Sequence, residues 1–220
     1  MSKINRVHSY PEWEQACYIE ITRVILSSSE KKNIALSGGS TPIPVYKRIG
    51  ELLNSLPESK TKGIRFFLVD ERDVSIESMR SNSAMIINTI GQNFVVPFDP
   101  TKQSPESYYR KMCQETNATC TFDLVVLGCG ADGHTASLFP NTLLLNEKSS
   151  SFMRNELPSG ERRYSMTFSL INSAKKRVVF VNDNAEKKKF FNIALLKARS
   201  YPIHHVLSFP NTKVIIHEKL

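Results

Sequence analysis

Trp13, Cys17, Ile21, Val24 and Ile25 recur at the spacing that keeps apolar side chains on one face of a helix, so residues 12–27 read as helical. "NIALSGG" follows as a short apolar strand that breaks at Gly38 and Gly39. Pro42 and Pro44 then open a second helix, where first-turn prolines forgo only N–H groups that have no intrahelical partner. Its buried stripe is Val45, Ile49, Leu52, Leu53 and Leu56. "IRFFLVDER" is too continuously apolar for a strand with one face in water and predicts a central parallel strand. Helices are expected over 81–90 and 106–116. "FDLVVLG" and "RVVFVND" predict further buried strands. Residues 185–199 read as a helix with Phe190, Phe191, Ala194, Leu195 and Ala198 inward, and "KVIIHEKL" as a weaker closing strand. Strands and helices alternate without repeat or long linker. That pattern of βαβ units predicts a doubly wound α/β fold: a mostly parallel sheet of five or six strands, helices on both faces, in one domain over residues 1–220.

In open sheets of this class, ligands bind outside the carboxyl ends of the strands. Those ends read Ser37-Gly38-Gly39-Ser40-Thr41, Asp70-Glu71-Arg72, Gly128 through His134, and Asn182-Asp183-Asn184, so polar and glycine residues collect where a site belongs. In "SGGSTP", Gly38 and Gly39 allow close backbone approach, and the following helix N-terminus offers free N–H groups to an anion. Ser40 or Thr41 suits both the N-cap and a phosphate oxygen, although a plain tight turn explains the same letters. The stretch is neither a P-loop nor a nucleophile elbow, because the G-x-x-x-x-G-K spacing is absent and Pro42 stands where the elbow needs glycine. Asp70 and Arg72 lie just beyond a buried strand, where Arg72 offers a planar fork to a carboxylate or phosphate. A surface salt-bridge cluster is the alternative.

Gly128, Gly130 and Gly133 spell the G-x-G-x-x-G of a dinucleotide-binding turn, but the context fails. Pro140 comes seven residues after Gly133, and "NTLLLNEKSSS" supplies no second strand ending in an acidic residue. What remains is a loop whose glycines bring amides to a ligand, with His134 at the start of a short helical turn beside Asp132. That placement points to catalysis.

Composition bounds the partners. Hydrophobic residues at 40% and charged residues at 23% describe a folded globular chain, and no apolar run approaches the roughly 18 residues of a membrane span. The first fifteen residues lack the apolar core of a signal peptide, so a cytoplasmic location is expected. Cys17, Cys113, Cys120 and Cys129 form no C-x-x-C and read as free thiols. His204 and His205 are too close for a helical metal-ligand pair and suggest a strand or loop, so no metal is expected. The net charge of +8 is spread along the chain, with its densest run at Lys187–Lys189 and no nucleic-acid motif beside it. A solvated face and a cleft that gathers a small anion account for it, and no nucleic acid, membrane or obligatory protein partner is called for.

"SGGSTP", "VDER" followed by Ser81-Asn82, and "GCGADGHTASLFP" occur in an order and spacing that resembles the 6-phosphogluconolactonase family. "ERRYSMTFSLINSAK" and "NAEKKKF" are similar to later blocks, and the likeness runs from about residue 33 to 190. It implies the fold of the glucosamine-6-phosphate deaminase and ribose-5-phosphate isomerase group, with a Rossmann-like sheet but no dinucleotide. In the deaminases the loop after the histidine typically reads "HIAFNEP", whereas Thr135–Pro140 here takes the lactonase form. The implied reaction is hydrolysis of 6-phospho-D-glucono-1,5-lactone to 6-phosphogluconate in the pentose phosphate pathway. A δ-lactone is an activated ester, so no covalent nucleophile, metal or organic cofactor is needed. On this reading His134 activates water, Asp132 orients the imidazole or stabilises the imidazolium, and the glycine-loop amides, Gly130 among them, face the oxyanion. Arg72 and Lys187 bind phosphate, Gly38, Gly39, Ser40 and Thr41 line the pocket with Asp70, and Arg163, placed before the "SMTF" strand, adds a contact. A sugar-phosphate isomerase or deaminase, or a non-catalytic sensor, is the alternative on the same fold. Two departures stand out: Asn184 where the family usually has glycine, and a C-terminal segment without the family's tryptophan and aspartate.

Overall fold

The computed structural model describes residues 3–116, 118–182, 187, 189–191 and 200–218. Its strands, in chain order, are β1 (Lys3–Val7), β2 (Lys32–Leu36), β3 (Ile64–Leu68), β4 (Asp70–Arg72), β5 (Val95–Val96), β6 (Leu124–Leu127), β7 (Phe152–Glu156), β8 (Arg162–Met166), β9 (Arg177–Val181) and β10 (Thr212–His217). Seven of them form one sheet in the order β1-β10-β9-β6-β2-β3-β5, parallel at every pairing. From β2 the chain steps outward through β3 to β5, then returns to the other side of β2 as β6 and steps outward again. The strand order therefore reverses between β2 and β6, and the crevice at such a switch point is where α/β sheets hold ligands. β2, β6 and β9 are buried along their whole length, as parallel strands covered on both faces must be.

Helix α1 (Tyr10–Ile25) buries Trp13, Cys17, Ile21, Val24 and Ile25, the stripe its spacing predicts. Helix α2 (Ile43–Ser55) packs between α1 and the helix Asn82–Ile90. Gly50 makes the second contact possible, because a Cβ there would lie 2.2 Å from the Thr89 carbonyl oxygen. Among the described residues, no helix is long and apolar enough to cross a membrane.

The large sheet has seven strands where five or six were expected, and four further expectations change. First, "IRFFLVDER" is not one strand. The Val69 N–H bonds Leu36 O in the large sheet, while its carbonyl accepts Met166 N in a second sheet, and the chain switches sheets at that residue. Asp70–Arg72 then joins a three-stranded antiparallel sheet, β4-β8-β7, which hydrophobic patterning did not reveal. Arg163 accordingly lies inside strand β8 rather than before it. Second, "KVIIHEKL" does not close the sheet. β10 is an interior strand, and β1, whose exposed and half-buried residues suit an edge, covers it. Third, His204 and His205 sit in the helix Pro202–Leu207, started by a proline at its first turn. Fourth, Pro42 occupies the cap of α2, and neither Ser40 nor Thr41 caps it through a side chain. Of the helix expected over 185–199, Phe190 and Phe191 are described and buried, while Ala194, Leu195 and Ala198 lie outside the described residues, as do Asp183 and Asn184.

Candidate active site

A cleft of about 370 Å³ opens at the carboxyl ends of β2 and β6. Ser37, Gly38, Gly39 and Thr41 line it from the β2 end, and Leu127 through Gly130 from the β6 end. Asp70, Arg72 and Arg163 enter from the small sheet, and Lys187 from the segment after β9. His134 completes the wall. Nine of the eleven site residues expected from sequence meet here. Ser40 is exposed and lies outside the lining, and Asp132 approaches the histidine from behind.

The loop after β6 is a set of turns, not the short helical turn that was expected. Gly130 N–H donates to His134 O, Gly133 N–H to Gly130 O, and Thr135 pairs with Leu138 as an isolated bridge. Gly133 has φ +80° and its N–H and carbonyl are both engaged, the carbonyl accepting Ile203 N at 3.0 Å. A Cβ on Gly130 would lie 2.1 Å from His134 Cε1, so glycine there lets the imidazole lie flush on the backbone. The other face of the ring stacks on Phe139, with centroids 4.0 Å apart.

Asp132 Oδ1 lies 2.5 Å from His134 Nδ1 and also accepts the His134 backbone N–H at 3.1 Å. Partial burial pushes the Asp132 carboxyl up, but the backbone N–H of His134, the imidazole's charge and its ring hydrogen bond together hold it below the usual carboxylate range. An ionised Asp132 keeps the hydrogen on Nδ1 and leaves the Nε2 lone pair as the basic position. The amide groups of Gly130 and Gly133 are already spent within the loop, which removes them as oxyanion donors. Those of Gly38 and Gly39 find no acceptor among the described residues, so the β2 end is the better place for a developing anion.

The small sheet supplies the charge. In its antiparallel register Arg72 lies directly opposite Arg163, and like charges in that position repel. Arg72 Nη1 donates to Arg80 O, and Arg163 Nη2 approaches Glu161, yet the Nε of both arginines is buried without a partner among the described residues. Lys187 lines the same cleft. Two arginines on opposed strand positions, each with a buried donor unfilled, can seat a dianion. Arg72→Met is therefore expected to raise KM for a phosphorylated substrate roughly 10–100-fold, the loss of one charge-assisted contact. The apoprotein should melt at an equal or higher temperature, because the like-charge pair is relieved; initial rates and thermal melts with and without sugar phosphate check both signs.

Asp70 is 7% exposed and its Oδ2 accepts Ser137 Oγ at 2.8 Å. Burial pushes its carboxyl up, while the Ser137 hydroxyl and the charges of Arg72, His134 and Arg163 pull the other way. Glu71, between two cleft residues, points away from the cleft. It is fully buried and receives Arg72 N, Asn82 N, Ser83 N and Ser81 Oγ at 2.7–3.0 Å, which ties β4 to the N-terminus of the helix Asn82–Ile90.

Sequence reading missed several participants. Asn82 was noted within a motif but given no role; its Nδ2 donates to Asp70 O, and a Cβ on Gly38 would fall 1.7 Å from its Oδ1. That contact explains the first glycine of "SGG". Phe139, Ser137 and Tyr46, whose hydroxyl donates to Ser37 O, also line the cleft. "SN" at the start of an apolar helix was the available signal for Asn82; Ser137 and Phe139 stood within the block Thr135–Pro140 without a role, and nothing marked Tyr46. Among the described residues, no group of three or more His, Cys, Asp or Glu side chains is placed to hold a metal ion.

The family described as glucosamine-6-phosphate isomerases/6-phosphogluconolactonase matches residues 15–216. A probable 6-phosphogluconolactonase of Dictyostelium discoideum is 30% identical over 233 residues, covering 94% of each chain. A 6-phosphogluconolactonase of Treponema pallidum is 32% identical over 193 residues, covering 81% of this chain and 79% of that one. Among solved structures, the 6-phosphogluconolactonase from Trypanosoma cruzi superimposes with a TM-score of 0.84 at 26% identity, over 99% of this chain and 94% of that one.

Proposed function

The chain belongs to the glucosamine-6-phosphate isomerase/6-phosphogluconolactonase family, and from that premise we propose that its cleft hydrolyses 6-phospho-D-glucono-1,5-lactone to 6-phosphogluconate. The observation that carries this is the juxtaposition of an Asp132–His134 pair with the opposed Arg72 and Arg163 in one switch-point crevice. The arginines and Lys187 take the phosphate, and Asp70 accepts a sugar hydroxyl. Nε2 of His134 removes a proton from water as the water oxygen bonds the lactone carbonyl carbon. Asp132 steadies the imidazolium that results. The carbonyl oxygen, now an alkoxide, faces the Gly38 and Gly39 amides. Collapse of the tetrahedral intermediate breaks the bond to the ring oxygen, which takes the proton back from His134 and leaves the open-chain acid.

Gly38, Gly39 and Thr41 shape the sugar-phosphate pocket, and Gly130 keeps the imidazole against the loop. Acid release from freshly prepared lactone, compared with ammonia release from glucosamine 6-phosphate, tests the reading. Lactone cleavage well above the buffer rate, without ammonia, is expected. Ammonia release would assign the chain to the deaminase branch, and cleavage at the buffer rate would leave only a binding role.

A further inference from the structure

The small sheet does more than hold the two arginines. In register, Arg72, Arg163 and Asn155 form one row across β4, β8 and β7. Asp70 and Ser165 form the adjacent row on the same face, since residues two apart along a strand share a side. Asn155 is 3% exposed, and its Nδ2 donates to Ser137 O at 2.8 Å and to Thr142 Oγ1 at 3.2 Å. Both hydrogens of the amide are used, and both acceptors belong to the loop that follows His134.

Those acceptors bracket Phe139, the residue stacked on the imidazole, and Thr142 Oγ1 in turn donates to Phe139 O at 2.8 Å. The loop needs such a clamp. Ala136 at φ +52° and Asn141 at φ +63° hold left-handed backbone without being glycine, a conformation that persists only where the surroundings impose it. Ser165 Oγ accepts Ser137 N from the neighbouring strand, and Ser137 Oγ reaches Asp70. We propose that Asn155, in a strand that does not touch the cleft, is a positioning residue that fixes the imidazole of His134 by clamping Ser137 and Thr142 on either side of Phe139. The proposal rests on His134 being the base.

The charged groups around the imidazole are Asp132 in its own loop, Asp70 on β4, and Arg72, Arg163 and Lys187 along the cleft. None of them is altered in Asn155→Leu, so a change in His134 would come from position. Asn155→Leu and Asn155→Ala, neither of which adds a charge, are expected to lower kcat roughly 10–100-fold, the scale of a catalytic group displaced by about 1 Å, with KM within about threefold. The acid limb of the kcat profile should move, and so should the titration of the His134 ring followed by NMR, which needs no turnover. Folded variants with wild-type kcat and an unmoved ring titration would overturn the proposal, as would a loss confined to KM. If neither variant folds, Thr142→Val and Phe139→Leu decide it: a several-fold fall in kcat with a moved ring titration supports the clamp, and unchanged values refute it. Activity surviving in His134→Ala would instead refute the base assignment, and the NMR titration would still report whether Asn155 positions the ring.

Discussion

His134→Ala is expected to lower kcat by about 10²–10⁴ while KM changes little, because the proposed mechanism uses the imidazole on water and leaves the proposed phosphate contacts in place. Steady-state rates on fresh lactone, corrected for the spontaneous reaction, measure this; full activity in the variant would remove the base from the mechanism. The pH dependence follows from the same pair. Asp132 is held below the usual carboxylate range by its bonds to His134, so it stays ionised throughout the neutral region. Loss of activity on the acid side therefore does not report protonation of Asp132. Asp132 also contributes stability that is present above the ordinary aspartate pKa near 3.9 and is lost as pH falls through its depressed folded value. About half of its side chain is exposed, and solvent screening keeps that contribution small.

Glu71→Ala is expected to cost about 3–5 kcal/mol of stability, against the roughly 5–15 kcal/mol that holds a typical domain folded. The side chain is fully buried and receives three backbone N–H groups and one hydroxyl. Its removal leaves those buried donors without their acceptor, and each orphaned group carries its own desolvation penalty. For a chain of this length the midpoint should fall by roughly 6–20 °C. Glu71→Gln keeps the shape and one acceptor but opposes an NH₂ to a backbone donor, so an intermediate loss is expected. Thermal and urea unfolding of the three proteins give the comparison. A Glu71→Ala protein as stable as the parent would show that the three bonds from Ser81, Asn82 and Ser83 do not hold the strand to the helix. Activity should fall as well, since Asp70 and Arg72 flank Glu71 on a strand of three residues.

Much of this molecule is readable from local pattern. The stripe of α1 appears at the spacing of Trp13, Cys17 and Ile21, and the runs "NIAL", "LVVL" and "RVVFV" are buried strands, because burial on both faces leaves no polar alternation. His134 and Asp132 stood out because a glycine-rich strand end that fails as a nucleotide cradle still has to bring backbone to a ligand. The position of His134 beside Asp132 needs only a separation of two residues, which a single turn supplies.

The second sheet had no such signature. β4 is three residues long, too short for a period to show, and its partner β8 lies about 90 positions away in the chain. "DER" reads as one charged cluster in sequence, yet the strand pleat sends Asp70 and Arg72 to the cleft and Glu71 to the helix behind it. The opposition of Arg72 to Arg163, the reach of Asn155 to the catalytic loop, and the cover that β1 gives to β10 all come from pairings between distant segments. The amino-acid sequence by itself determined the parallel core, its helices and the histidine loop, since hydrophobic periodicity and glycine placement are local properties of the chain. Only the tertiary structure decided which charges face each other and what holds the histidine, because strand register is set by long-range packing that no single stretch of residues encodes.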